Sequence, residues 1–260
     1  MHVPELSAPD GGAAPVLLLH GQPGVGADWG PIVSLLEEDH LVLAPDRPGY
    51  GAAPGPALGP TGNADVAAEA LAQLDAPAVV VGHSYGAAVA LSVAERHHDL
   101  VAALVLLCPA GSPRSLNAVD RALAWPGVGE GAAWLLMQAS AAVPLVLPLL
   151  ARSSRLPVLP SVLAWRRSDS WRSFTVEQRA LVSELPELVR ELPSVSCPVE
   201  IVAGRRDRVV PPAAVRQLAR ALPGAGVTWV PDAGHMLPWE QPELVAAVIA
   251  RAAGPRETDP

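Results

Sequence analysis

Short, continuous apolar runs alternate along this chain with segments of helical period, and that alternation restricts the fold more than any other feature of the sequence. Pro15–His20 (Pro-Val-Leu-Leu-Leu-His) is apolar up to its closing histidine, as expected of a strand buried on both faces of a sheet. A helix is expected over Asp28–Glu38, a strand over His40–Ala44, and a helix over Ala64–Leu74 capped by Thr61 or Asn63. Strand Ala78–Gly82, helix Tyr85–His97 and strand Val101–Cys108 follow. Further along, the same rhythm gives strand Val199–Ala203, helix Pro212–Leu222, strand Val227–Val230 and a helix from Pro242 to about Arg251. Both of these late helices open on proline, whose missing N–H costs least at the first helical position. Gly254–Pro260 is expected to fray. Strands joined by helices make right-handed crossovers, so the expected class is α/β: a mostly parallel, doubly wound sheet covered by helices on both faces.

Between Gly111 and Ser194 the rhythm breaks. No strand pattern appears, prolines recur, and Trp125, Trp134, Trp165 and Trp171 add bulk. This segment is expected to be a helical cap inserted between strands, residues 111–194, with residues 1–110 and 195–260 forming the core. The uncharged run Ala132–Ala151 is long enough to span a bilayer. Its Pro144, Pro148, Gln138 and Ser140 favour a buried or pocket-lining helix pair instead, so no integral membrane span is expected. Apolar helices that line a pocket imply an apolar small-molecule substrate.

Composition removes several classes of function. Half of the residues are apolar and only 17% are charged, which excludes intrinsic disorder. The net charge of −8 argues against a nucleic-acid surface. All 18 basic residues are arginine, a compositional bias rather than a device. Cys108 and Cys197 are too few for a disulfide framework or a zinc site, and they are expected to be free thiols at opposite edges of the sheet. With no basic patch and apolar run at the N-terminus, the expected location is cytoplasmic.

The chemistry concentrates in Gly82-His83-Ser84-Tyr85-Gly86, directly after one apolar run and directly before an alanine-rich helix. A serine on so sharp a strand-to-helix turn exposes its hydroxyl but takes a strained backbone conformation, and the residues two before and two after must be small. A serine hydroxyl also needs a base to take its proton and a carboxylate to orient that base. Asp207 (in Arg205-Arg206-Asp207-Arg208) and His235 (in Ala233-Gly234-His235-Met236) each lie just past the carboxyl end of an expected strand. Groups at those ends converge in a parallel sheet. The loop His20-Gly21-Gln22-Pro23-Gly24 supplies the remaining element. The backbone N–H groups of Gln22 and Tyr85 are the candidate oxyanion donors, since Pro23 has none to give.

Together these residues resemble the α/β-hydrolase superfamily, in its cap-bearing branch, over about Pro15–Arg251. The resemblance implies Ser84 as nucleophile, His235 as general base, Asp207 as its orienter, and Gln22 and Tyr85 as oxyanion donors. Asp46-Arg47-Pro48-Gly49-Tyr50-Gly51 also matches a family loop whose aspartate is structural. Two departures stand out. Few residues precede the first strand, so the family's leading antiparallel strands are expected to be missing or very short. The His-Gly-x-Pro loop is similar to that of epoxide hydrolases and haloalkane dehalogenases, but those use aspartate where this chain has Ser84, which favours acyl chemistry.

The expected function is therefore hydrolysis of a carboxylic ester or thioester through an acyl-enzyme on Ser84, with no metal or organic cofactor required. Acyl transfer, C–C bond hydrolysis and cofactor-free perhydrolysis use the same triad and remain alternatives, as do a slow-turnover ligand-binding relative and a lipase whose apolar cap docks on lipid. Other polar residues carry plainer readings. His20 and His83 are expected to be structural, Asp46 and Asp232 turn-formers, and His97-His98 a solvated helix end. Arg166, Arg167 and Arg172 are expected to be surface charge, with contact to an anionic substrate group as the alternative. Trp29 and Trp239 either border the pocket or pack in the core, and the loop Ala52–Pro60 is placed near the entrance.

Overall fold

The computed structural model describes residues 13–135, 137–139, 160–165 and 169–254; for 163–165 only the backbone is described. Among the described residues six strands form one sheet: β1 (Val16–Leu19), β2 (Val42–Leu43), β3 (Ala78–His83), β4 (Val101–Leu107), β5 (Val199–Gly204) and β6 (Gly226–Val230). Their order is β2-β1-β3-β4-β5-β6, and every neighbouring pair is parallel. The strands' side chains alternate between two apolar layers. Leu17, Val80, Leu104 and Ile201 face one, with the helices Pro60–Leu71, Tyr85–Arg96 and Pro212–Ala221. Val16, Val79, Val105 and Val202 face the other, with Gly30–Leu36 and Pro242–Ala253. Burial on both faces is why β1, β3 and β4 are near-continuous apolar runs in the sequence, while β5 is interrupted by Glu200.

Several expected boundaries shift. The strand expected at His40–Ala44 is only Val42–Leu43, which among the described residues is an edge strand paired with β1 alone. The helix expected from Ala64 begins at Pro60, with Gly59 as its cap. Pro60 pre-sets the first turn, so Asn63 lies inside it and donates from Nδ2 to the carbonyls of Leu58 (2.7 Å) and Gly59 (3.0 Å). The helix expected over Asp28–Glu38 is split into a 3₁₀ turn, Gly26–Trp29, and a helix, Gly30–Leu36.

The strand order decides where a site can form. The chain leaves β1 for β2 on one side and returns to β3 on the other, so the loops after β1 and β3 diverge and open a crevice at the carboxyl ends of those strands. Leu19 of β1 and Gly82 of β3 are register partners at that end.

The segment between β4 and β5 contains helices Ala118–Leu123, Pro160–Trp165 and Ser170–Glu191, and no strand among its described residues. The long helix is tied to the core along its length. Ser173 Oγ donates to the Gly49 carbonyl (2.6 Å), and Glu184 accepts from the N–H and hydroxyl of Thr61 (2.9 and 2.8 Å). Its second half sends Leu181, Leu185 and Leu188 into the apolar layer over β3 and β4. Of Ala132–Ala151, only 132–135 and 137–139 are described, so most of the expected helix pair, like Arg166 and Arg167, lies outside the described residues. No helix among the described residues is long and apolar enough to cross a membrane.

Candidate active site

The turn after β3 is tightly built. Ser84 has φ 54° and ψ −116°, a conformation that costs an L-residue roughly 1–3 kcal/mol. Backbone bonds hold it from several directions: its N–H donates to Leu107 (2.9 Å), and its carbonyl accepts from Ala87 (3.0 Å) and Ala110 (3.1 Å). The flanking glycines are required. A Cβ on Gly82 would lie 2.4 Å from the Gly86 carbonyl oxygen, and one on Gly86 would lie 2.1 Å from that of Leu19. Helix Tyr85–Arg96 starts immediately after Ser84, so the Tyr85 N–H is among the first-turn donors that lack an intrahelical acceptor.

Ser84, Asp207 and His235 come together. His235 Nε2 is 3.0 Å from Ser84 Oγ, and His235 Nδ1 is 2.8 Å from Asp207 Oδ2. The Asp207 side chain is 1% exposed and that of His235 14%. The other Asp207 oxygen accepts from the N–H groups of Val209 (2.8 Å) and Val210 (2.9 Å). Burial alone would raise the Asp207 pKa, but the His235 ring and these two donors outweigh it and hold the carboxyl below its ordinary value. A charged, fixed carboxylate selects the tautomer with a proton on Nδ1 and leaves Nε2 as acceptor for the Ser84 hydroxyl.

A cleft opens over Ser84, lined among others by Gly21, Gln22, Trp29, His83, His235 and Trp239. Both tryptophans weighed from sequence therefore border it, and Trp29 is also almost wholly buried. Gly21 lies against Ser84, since a Cβ there would be 3.4 Å from that of Ser84. The Gln22–Pro23 peptide is cis, and the Gln22 side chain donates to the Phe174 carbonyl of the long helix (2.8 Å). Asp28 and Ser161, neither foreseen, also line the cleft. Asp28 accepts from the N–H groups of Val25 and Ser161 (both 3.0 Å), which ties helix Pro160–Trp165 to the rim.

The neighbouring residues mostly match their plainer readings. Asp46 accepts from the N–H groups of Gly26 (2.7 Å) and Ala52 (2.8 Å), bracing two loops. His83 Nε2 meets the His235 carbonyl at 2.8 Å, and burial together with the nearby His235 lowers its pKa to about 3, so its ring is neutral. Burial, with Arg47 beside it, likewise holds His20 well below the ordinary value. His97 pairs with Asp65 (2.9 Å), and Asp232 with exposed Arg206 (2.6 Å). Arg172 stacks over Trp171 and faces Asp169 (3.8 Å) on the exposed surface. The loop Ala52–Pro60 contributes no described lining residue; its Leu58 carbonyl takes the Tyr85 hydroxyl instead (3.2 Å). Both cysteines are free.

Cys108 is closer to the triad than its sequence position suggests. With Asp207 and His235 it presents three potential metal-ligand atoms within 4.8 Å of one another. The Asp207 and His235 atoms already face each other and Ser84, and burial raises the Cys108 thiol, so this donor set fits a triad better than a cation.

Sequence reasoning missed one buried group altogether. Glu177 of the long helix pairs with Arg47, and the Tyr50 hydroxyl donates to it (2.8 Å). The two charged side chains are 0% and 3% exposed. Arg47 fell within a motif that the sequence offered, whereas Glu177 carried no signal.

The profile of the Alpha/beta hydrolase family matches residues 16–248. The chain belongs to that family. Lipase LipV of Mycobacterium tuberculosis is 36% identical over 94% of this chain and 95% of its own length. In fold, this α/β hydrolase is similar to a thermophilic esterase from Thermogutta terrifontis, with a TM-score of 0.70, 23% identity, and 94% and 92% of the two chains covered. It is equally similar to the esterase EaEST from Exiguobacterium antarcticum, with a TM-score of 0.70, 20% identity, and 94% and 93% covered.

Proposed function

We propose that this α/β hydrolase is a serine esterase that cleaves a carboxylic ester or thioester of an apolar small molecule through an acyl-enzyme on Ser84. The observation that carries the reading is the continuous chain of contacts from Ser84 Oγ through His235 to buried Asp207. Family membership and the likeness to a lipase support it. Ser84 Oγ attacks the carbonyl carbon while His235 Nε2 takes its proton. Asp207 holds the imidazole and balances its charge. The N–H groups of Gln22 and Tyr85 meet the oxygen that becomes negative, a contribution typically worth about 3–4 kcal/mol per donor. His235 then passes the proton to the departing alcohol or thiol, and water attacks the acyl-enzyme by the same route in reverse. The two free thiols suit a reducing, cytoplasmic location.

Intact mass after incubation with a fluorophosphonate tests the assignment. A single adduct on the wild type and none on Ser84→Ala is expected. A well-folded wild type that stays unmodified would overturn it.

A second reading, a lipase working at a lipid surface, is favoured by apolar side chains on the outside of the cap. Val119, Trp125 and Leu135 are 65%, 66% and 63% exposed. Ester turnover that rises on adding phospholipid vesicles, and that loses this rise in Trp125→Ser/Leu135→Ser, is the expected sign. A rate indifferent to vesicles would leave the small-molecule reading alone.

A further inference from the structure

The Gly21–Gln22 peptide carries both the carbonyl of Gly21 and the N–H of Gln22. A trans peptide is planar, so fixing the direction of its C=O fixes the opposite direction of its N–H. Two donors hold that carbonyl. Arg47 Nη2 lies 2.9 Å from Gly21 O, and His20 Nδ1 lies 2.9 Å from the same atom. The His20 tautomer is set in turn, because the backbone N–H of Arg47 donates to His20 Nε2 (3.0 Å) and leaves the ring proton on Nδ1.

Arg47 is therefore the central member of this arrangement, and its own position is fixed by the cap. Nη1 and Nη2 both face the Glu177 carboxylate, and the guanidinium lies over the rings of Tyr85 (4.6 Å) and Tyr50 (5.3 Å). Tyr50 donates to Glu177 as well (2.8 Å) and meets the His20 ring edge-on at 5.6 Å. The same helix reaches the next residue of the loop, since Phe174 O accepts from the Gln22 side chain (2.8 Å). A buried ion pair is costly unless hydrogen bonds offset its desolvation. Arg47 Nε has no hydrogen-bond partner among the described residues, so the offset falls to Nη1 and Nη2, and one of the Nη2 bonds ends on the peptide beside Ser84.

We propose that Glu177 is a positioning residue: through Arg47 and the Gly21 carbonyl, the cap helix Ser170–Glu191 sets the direction of the Gln22 N–H that meets the oxyanion. This rests on the serine-esterase reading. The cap thereby acts on transition-state stabilisation as well as enclosing substrate. An N–H aimed at the oxyanion matters most in the transition state, so disturbing it lowers kcat rather than raising KM.

Steady-state hydrolysis of a p-nitrophenyl ester and the rate of fluorophosphonate labelling, each per mole of folded protein, test the inference. Glu177→Gln keeps the shape but removes the charge that orients Arg47. A fall in kcat of about tenfold or more, a KM within about threefold of wild type and a parallel fall in labelling rate are expected, since complete loss of an oxyanion donor costs about 10²–10³-fold. Arg47→Met/Glu177→Met replaces the pair by apolar side chains, an exchange that buried pairs often tolerate. It should unfold near the wild-type temperature yet keep the low kcat, because the Gly21 carbonyl has lost its donor. A merely structural pair would show the reverse, with a lowered Tm and wild-type kcat in the folded fraction, and that result overturns the inference while leaving the esterase reading intact. A wild type that neither labels nor turns over ester overturns both.

Discussion

At the scale of single residues, the proposed triad combines a strained group with a well-satisfied one. Ser84 is held in its turn by backbone bonds on both sides, whereas Asp207 has both oxygens committed, one to His235 and one to two backbone donors. Asp207→Asn keeps the size but presents an amide to Nδ1, which favours the wrong tautomer. A drop in kcat of about 10³–10⁴-fold with an unchanged circular dichroism spectrum is expected. The depressed Asp207 pKa also has a stability sign. A carboxyl held below its unfolded value contributes stability that is present above that value and is lost as pH falls through the folded pKa. Urea titrations below pH 4 should therefore show a shallower acid loss in Asp207→Asn than in the wild type.

At the scale of elements, the strand-to-helix turn after β3 is where local sequence and long-range structure agree most closely. The Gly86 position faces the Leu19 carbonyl of the neighbouring strand, so Gly86→Ala should separate the helix from β1. A loss of about 3 kcal/mol or more in the urea-unfolding free energy, or no folding at all, is expected, with Ala88→Gly far milder. This turn was legible because its demands are local: two small residues around a serine, an apolar run before it and an alanine-rich run after it. Asp207 and His235 were legible for the related reason that each ends a strand. The edge strand β2 was overestimated, since a two-residue pairing leaves no periodicity to read. The start of helix Pro60–Leu71 was misplaced because two capping side chains, Thr61 and Asn63, outweighed a proline that in fact opens the helix. Glu177 was invisible. On an amphipathic helix it looks like any polar-face residue, and its partner lies 130 positions away in sequence.

At the scale of the whole molecule, the buried Arg47–Glu177 pair makes the junction of cap and core sensitive to pH. Burial pushes the Glu177 carboxyl up to about 7, against the opposing pull of Arg47 and Tyr50. A folded pKa above the unfolded value means that the native state binds the extra proton. That contribution to stability is complete below about pH 4.5 and is lost as pH rises through about 7. Thermal unfolding of wild type and Glu177→Gln across pH 4.5–8 should show the variant with the flatter profile through that window. The strand order β2-β1-β3-β4-β5-β6 carries a last consequence, for the order of events during synthesis. The ribosome delivers Ser84 and the Gly21–Gln22 loop with the first four strands, then the inserted helices, and only afterwards β5 and β6 with Asp207 and His235. Under the proposed mechanism, a chain that ends before β5 has no group to take the Ser84 proton, and hydrolysis is expected only once the loop after β6 that carries His235 has been made.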